Sequence, residues 1–218
     1  MEKIKLKGAI FDMDGTIIDS MRYWAELDER FLTERNLPYT SEVSNYLKTC
    51  SLRMAAEFFS AEYGIEGSVE EIEKMIVDGM REPYEKFVKA KKGAPELLRH
   101  LESRGVSMCI ATSTDRELAE IVLQRLDLRR YFVDVISCSD IGKNKDHPDI
   151  FYAAMDKMGT SVEETVVFED SFYAIKTAVK YGFRVAAVAD VSAEPERSEI
   201  ADMADVFVEN PGDLIRWF

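Results

Sequence analysis

Histidine is nearly absent from this chain of 218 residues, which has only His100 and His147. A metal centre built on several imidazoles is therefore excluded. Cysteine is scarce too: Cys50, Cys109 and Cys138 are odd in number, widely spaced and lack a C-x-x-C pair. They form neither a disulfide framework nor a zinc knuckle, and they suit a reducing compartment. No apolar run approaches the roughly 18 residues that a membrane-spanning helix needs. Met1–Lys7 leads into only Gly8-Ala9-Ile10-Phe11 before acids begin, too short a stretch for a signal peptide. Positive charge is short as well. Forty-one Asp and Glu against 28 Lys and Arg leave a formal −13, which disfavours binding along a nucleic-acid backbone. These absences lead us to expect a cytoplasmic protein with no nucleic-acid or membrane partner, a monomer or weak dimer.

What the chain does have is apolar residues, at 46%, and carboxylates. The former supply the core of one large domain, or of a domain with a modest insertion. The latter are the obvious carriers of any chemistry.

Lys5–Phe11 reads as a short strand running into Asp12-Met13-Asp14-Gly15-Thr16. From 21 to 90 apolar residues such as Trp24, Leu27, Phe31 and Leu32 recur at helical spacing, and no strand is expected there. Ser68 followed by Glu70 and Glu71 marks a helix start, as does Gly93-Ala94-Pro95. Strands and helices then alternate. Val106–Ala111, Phe132–Cys138, Thr165–Phe168 and Arg184–Ala189 read as strands, with Val206–Val208 as a last short one. Helices are expected over Glu117–Leu126, Pro148–Met158 and Ser171–Lys180. The fold class is α/β: a doubly wound, mostly parallel sheet with an inserted all-helical cap. Residues 1–20 and 91–218 form the core and 21–90 the cap.

Four polar segments fall at predicted strand ends, where such sheets bind ligands. They are Asp12-x-Asp14-Gly15-Thr16, Thr112-Ser113-Thr114, the loop holding Lys143 and Lys145, and Glu169-Asp170-Ser171. Each has a plain reading by itself: a turn, a helix cap, a solvated charge, a pair of acids favoured by a helix dipole. Together they place several carboxylates in one crevice, where mutual repulsion calls for a hard cation such as Mg²⁺. The remaining ammonium, hydroxyls and amides suit a phosphate. One carboxylate of the Asp12/Asp14 pair can attack phosphorus while the other moves the proton.

The motifs Asp12–Ser20, Ala111–Thr114, Lys145–Asp149 and Phe168–Ser171 resemble those of haloacid dehalogenase-like hydrolases. The similarity is to the phosphatase and β-phosphoglucomutase-like branch, and it implies a Rossmann-like core with a helical cap. It implies Asp12 as nucleophile, Asp14 as general acid/base, and Thr112, Ser113 and Lys145 as phosphate-binding. It also implies Mg²⁺ held by Asp12, the Asp14 carbonyl and Asp170, with Glu169 a ligand directly or through water. The activity implied is hydrolysis of a small phosphorylated metabolite, such as a sugar phosphate, through an aspartyl-phosphate. A mutase of this branch is the alternative, although Trp24 stands where such enzymes carry a histidine. A phospho-receiver domain shares the acid, hydroxyl and lysine set but lacks a helical block after its first strand. Cap residues Arg22, Tyr23, Trp24, Lys48 and Arg53 are candidates for selecting the substrate. Trp24 fits equally as packing between cap helices or as a stacking surface.

Overall fold

The computed structural model describes residues 6–218; Lys5, included above in the first strand, lies outside them. The described residues open with β1 (Gly8–Phe11) and β2 (Ile18–Asp19). Four cap helices follow: α1 (Met21–Thr33), α2 (Ser41–Leu47), α3 (Leu52–Tyr63) and α4 (Val69–Glu82). A π-turn over Pro83–Phe87 leads to β3 (Lys89–Ala90). Then come α5 (Ala94–Ser103), β4 (Ser107–Thr112), α6 (Arg116–Arg125), β5 (Val135–Ser137), α7 (Cys138–Ile141) and α8 (Asp149–Met158). The chain closes with β6 (Thr165–Glu169), α9 (Phe172–Lys180), β7 (Arg184–Val188), α10 (Arg197–Met203) and β8 (Val206–Val208).

Six strands form one sheet in the order β5-β4-β1-β6-β7-β8, with every pair parallel. The order reverses beside β1: the chain winds out through β4 and β5, then returns to β6 and winds the other way. That reversal opens a crevice at the carboxyl ends of β1, β4 and β6. Period-2 alternation divides the strand residues between two apolar layers. Ala9, Phe11, Ile110 and Phe168 face α5, α6 and the cap, whereas Ile10, Cys109, Ala111 and Val167 face α8 and α9. Phe11 stacks on Phe168 with ring centroids 4.2 Å apart, and Phe168 meets the fully buried Phe218 at 5.4 Å.

Two expectations need correction. The 21–90 segment does contain a strand, since Lys89–Ala90 pairs antiparallel with Ile18–Asp19. Two residues are too few to show alternation, and the partner lies some seventy positions away. The pair ties together the two chain crossings between core and cap. Phe132–Cys138 is also shorter than expected: Arg129–Tyr131 is a 3₁₀ turn, only Val135–Ser137 is strand, and Cys138 opens α7. There Ser137 caps the helix and Asp140 returns the bond, a capping box that ends the strand.

The helix starts follow their local chemistry. Ser68 accepts the Glu71 amide while Glu71 accepts the Ser68 amide. At Gly93, φ is +80° and a Cβ would lie 2.5 Å from Gly212 Cα, so two backbones can touch only because neither residue has a side chain.

Candidate active site

A cavity of about 410 Å³ lies between the crevice and the cap, and Asp12, Asp14, Thr112, Ser113 and Lys145 all line it. Asp12 directly follows β1, and its amide donates to the Phe168 carbonyl at 2.9 Å, which extends the sheet register into the site. Gly15 turns the chain at φ +84°, and a Cβ there would run into the Asp170 carboxylate. Only glycine lets this loop pass over that acid.

Lys145 is buried and donates to Asp12 Oδ1 and, at 2.6 Å, to Glu169 Oε1. Burial by itself would lower its pKa, but the charges of Asp12 and Glu169 outweigh it and hold the ammonium protonated. Glu169 Oε2 accepts the amides of Asp170 (2.8 Å) and Ser171 (2.9 Å), so both its oxygens are engaged and it orients the lysine. Lys143 lies outside the site, paired with Asp149 at 2.7 Å.

Carboxylate oxygens of Asp12, Glu169 and Asp170 lie within 4.8 Å of one another. Asp170 Oδ1 accepts from Thr16 Oγ1 at 2.9 Å. Asp12 Oδ2 and Asp170 Oδ2 are buried with no partner. Burial pushes Asp12 up to about 7 against the pull of Lys145. Burial, then the charges of Glu169 and Asp12, carries Asp170 well above the usual carboxylate range. Two desolvated oxygens without donors, on acids that resist ionisation, fit a hard divalent cation. The Asp14 carboxylate is not part of this cluster.

Asp14 instead faces the cap. Its Oδ1 accepts from Ser20 Oγ at 2.5 Å, from Tyr84 OH and, at 3.4 Å, from Trp24 Nε1, and its Oδ2 accepts from Thr114 Oγ1 at 2.8 Å. The indole also donates to Tyr84 OH at 3.0 Å. Tyr84 is held from the core by Arg125, which donates to its carbonyl at 2.8 Å and to that of Val88.

The substrate-selection candidates separate. Arg22, Trp24 and Lys48 line the cavity, and Lys48 Nζ bridges cap to core by donating to Ser192 O at 2.9 Å. Tyr23 is not on the cavity wall; the Arg22 guanidinium lies over its ring, 4.5 Å from the centroid. Arg53 is not on the cavity wall either; it is exposed and paired with Glu57 and Glu70, each at 3.2 Å.

Sequence reasoning missed several residues. Lys91 donates to Gly15 O (2.5 Å), Ala189 O (2.8 Å) and Asp190 Oδ2 (2.9 Å), tying the cap crossing to two strand-end loops. Nothing in the run Lys89-Ala90-Lys91-Lys92 singles it out. Tyr84 had no motif around it. Thr114, in the segment whose plain reading is a helix cap, serves Asp14, while Asp115 caps α6 by accepting the Glu117 and Leu118 amides.

Known proteins are similar to this chain in sequence and in fold. A "Phosphorylated carbohydrates phosphatase" of Thermotoga maritima is 29% identical over 178 residues, covering 81% of this chain and 82% of that protein. An "N-acetylmuramic acid 6-phosphate phosphatase" of Pseudomonas aeruginosa is 24% identical, covering 99% and 96%. The crystal structure of CbbY from Rhodobacter sphaeroides in complex with phosphate has the same fold, with a TM-score of 0.81 at 19% identity over 96% of both chains. A model of the haloacid dehalogenase-like hydrolases matches residues 9–188. That match runs from β1 through β7 and takes in every strand that presents an acid to the crevice, so this chain belongs to the haloacid dehalogenase-like hydrolase family.

Proposed function

We propose that this protein is a Mg²⁺-dependent phosphatase that hydrolyses a small phosphorylated metabolite through an aspartyl-phosphate on Asp12. The observation that carries the reading is the contrast between two carboxylates on one cavity wall. Asp12 lies against a buried ammonium and an acid cluster, while Asp14 is turned toward the cap by hydroxyl and indole donors. That separation suits a nucleophile and a proton carrier.

Asp12 and Asp170 would hold the cation, with Glu169 beside them. When bound, the cation offsets the clustered negative charge of acids and phosphate. The Asp12 carboxylate attacks phosphorus, the bond to the leaving oxygen breaks, and Asp14 gives that oxygen its proton. Asp14 then takes a proton from water as the water attacks phosphorus, and Asp12 is released. Lys145 steadies the nucleophile and, with Thr112 and Ser113, meets the phosphoryl oxygens. Trp24 and Tyr84 keep Asp14 on the leaving-group side.

The test is hydrolysis of p-nitrophenyl phosphate with Mg²⁺, with EDTA, and by Asp12→Asn. The expected result is turnover with Mg²⁺ and a loss of roughly 10⁴-fold or more in the other two. Equal rates in all three refute the proposal.

A further inference from the structure

Asp28 lies on α1, one helical turn beyond Trp24, and the face that carries Met21, Trp24 and Ala25 along the cavity carries it too. Four residues at 1.5 Å each put it ~6 Å from Trp24 along the helix axis. The cap side of this cavity mixes apolar residues, Leu47, Leu52, Ala55 and Ile76, with Ser44 and Cys50, and the Asp28 charge is felt at Cys50 and Tyr39. No hydrogen bond or ion pair reaches the Asp28 carboxyl among the described residues. The cations that line the same cavity are engaged elsewhere, Lys48 with Ser192 O and Arg22 with the Tyr23 hydroxyl. Burial pushes the carboxyl up to about 7. Asp28 is half-buried and its carboxyl has no protein partner, so it is open to a group that enters the cavity. Within an open cavity, the missing partner can be supplied by a ligand.

We infer that Asp28 is a specificity-determining residue, which accepts a hydrogen bond from a hydroxyl or ammonium group on the leaving group. It disfavours leaving groups that place a carboxylate or a second phosphate there. This rests on the phosphatase reading of the same site. Sites built to pair with a polar group discriminate far more strongly than apolar ones, because the protein group is left unpaired by the wrong ligand.

The test uses the full chain with Mg²⁺ and four esters: glycerol phosphate, phosphoethanolamine, phosphoglycolate and p-nitrophenyl phosphate. In Asp28→Leu, the ratio of kcat/KM for the glycerol or ethanolamine ester to that for p-nitrophenyl phosphate is expected to fall by about 10- to 100-fold. The same ratio for phosphoglycolate should rise. Asp28→Asn separates the sources: it keeps the hydroxyl-bearing ester and loses the ammonium-bearing one. Binding of the same esters to Asp12→Asn protein, with and without Asp28→Leu, reads the effect without turnover. A failed phosphatase reading would therefore still leave this inference measurable. Ratios and affinities that do not change, or that fall equally for all four esters, overturn it.

Discussion

On the core side of the cavity Asp12 and Glu169 share the Lys145 ammonium, and two further carboxylate oxygens lie buried and unpartnered beside them. On the cap side one half-buried acid without a protein partner, Asp28, shares the cavity lining with leucine, isoleucine and alanine. The first wall is assembled from the ends of three parallel strands and the loop after a fourth, all drawn to one crevice by the sheet order. The second is a set of helix faces whose apolar spacing also serves the cap's own packing. Charge is concentrated where strand ends hold it rigidly, and helices provide a surface whose chemistry a few side chains can change. Asp14 joins the two, rooted in the first wall and held by Trp24 and Tyr84 of the second.

The largest effect should come from breaking the core wall at its cation. Lys145→Met leaves two buried carboxylates without their shared partner. A stability loss of about 3–5 kcal/mol by denaturant unfolding is expected. With p-nitrophenyl phosphate, kcat should fall by roughly 10²- to 10³-fold. A variant as stable and active as the parent would show that the wall does not depend on its buried ion pairs.

Tyr84→Phe attacks the joint between the walls. It removes one donor from Asp14 and leaves the indole of Trp24, the Ser20 hydroxyl and Thr114 in place. A fall in kcat of about tenfold with little change in KM is expected, since the hydroxyl positions the proton carrier. An equal rise in KM would place Tyr84 with the substrate-binding surface instead.

A pH dependence tells the walls apart. Burial raises Asp12 from 3.8 to about 7, Asp28 from 3.8 to about 7, and Asp170 well above its ordinary value. Folded protein thus keeps protons that the unfolded chain has already lost. Stability without metal is expected to fall as pH rises from about 4 to about 7. With Mg²⁺ the core acids ionise against the cation, so melting temperature should rise most at the upper end of that range. The slope that persists with Mg²⁺ should be shallower in Asp28→Asn. A melting temperature that rises with pH in EDTA would contradict both assignments.

Much of this was legible in the chain itself. Asp12, Asp14, Thr112, Lys145, Glu169 and Asp170 each sit in a short polar segment after an apolar run, and strand–helix alternation predicts that such segments meet. The partners of Asp14 were not legible, because Tyr84 lies in a π-turn without a motif, seventy positions from Asp14. Asp28 reads as an ordinary polar position on an amphipathic helix, and the spacing does not say which face the cap turns toward the core.

Local pattern therefore determined the doubly wound sheet, the helical insertion and the acids that crowd the strand ends, since each depends on residues adjacent in sequence. Tertiary structure decided which acids share a lysine, which are left without partners and which face the cap. Those outcomes depend on burial and on donors brought from distant segments. The same carboxyl group is a solvated surface charge in one setting and a buried, proton-holding group in the other. Among 41 acidic residues, only the fold separates the two.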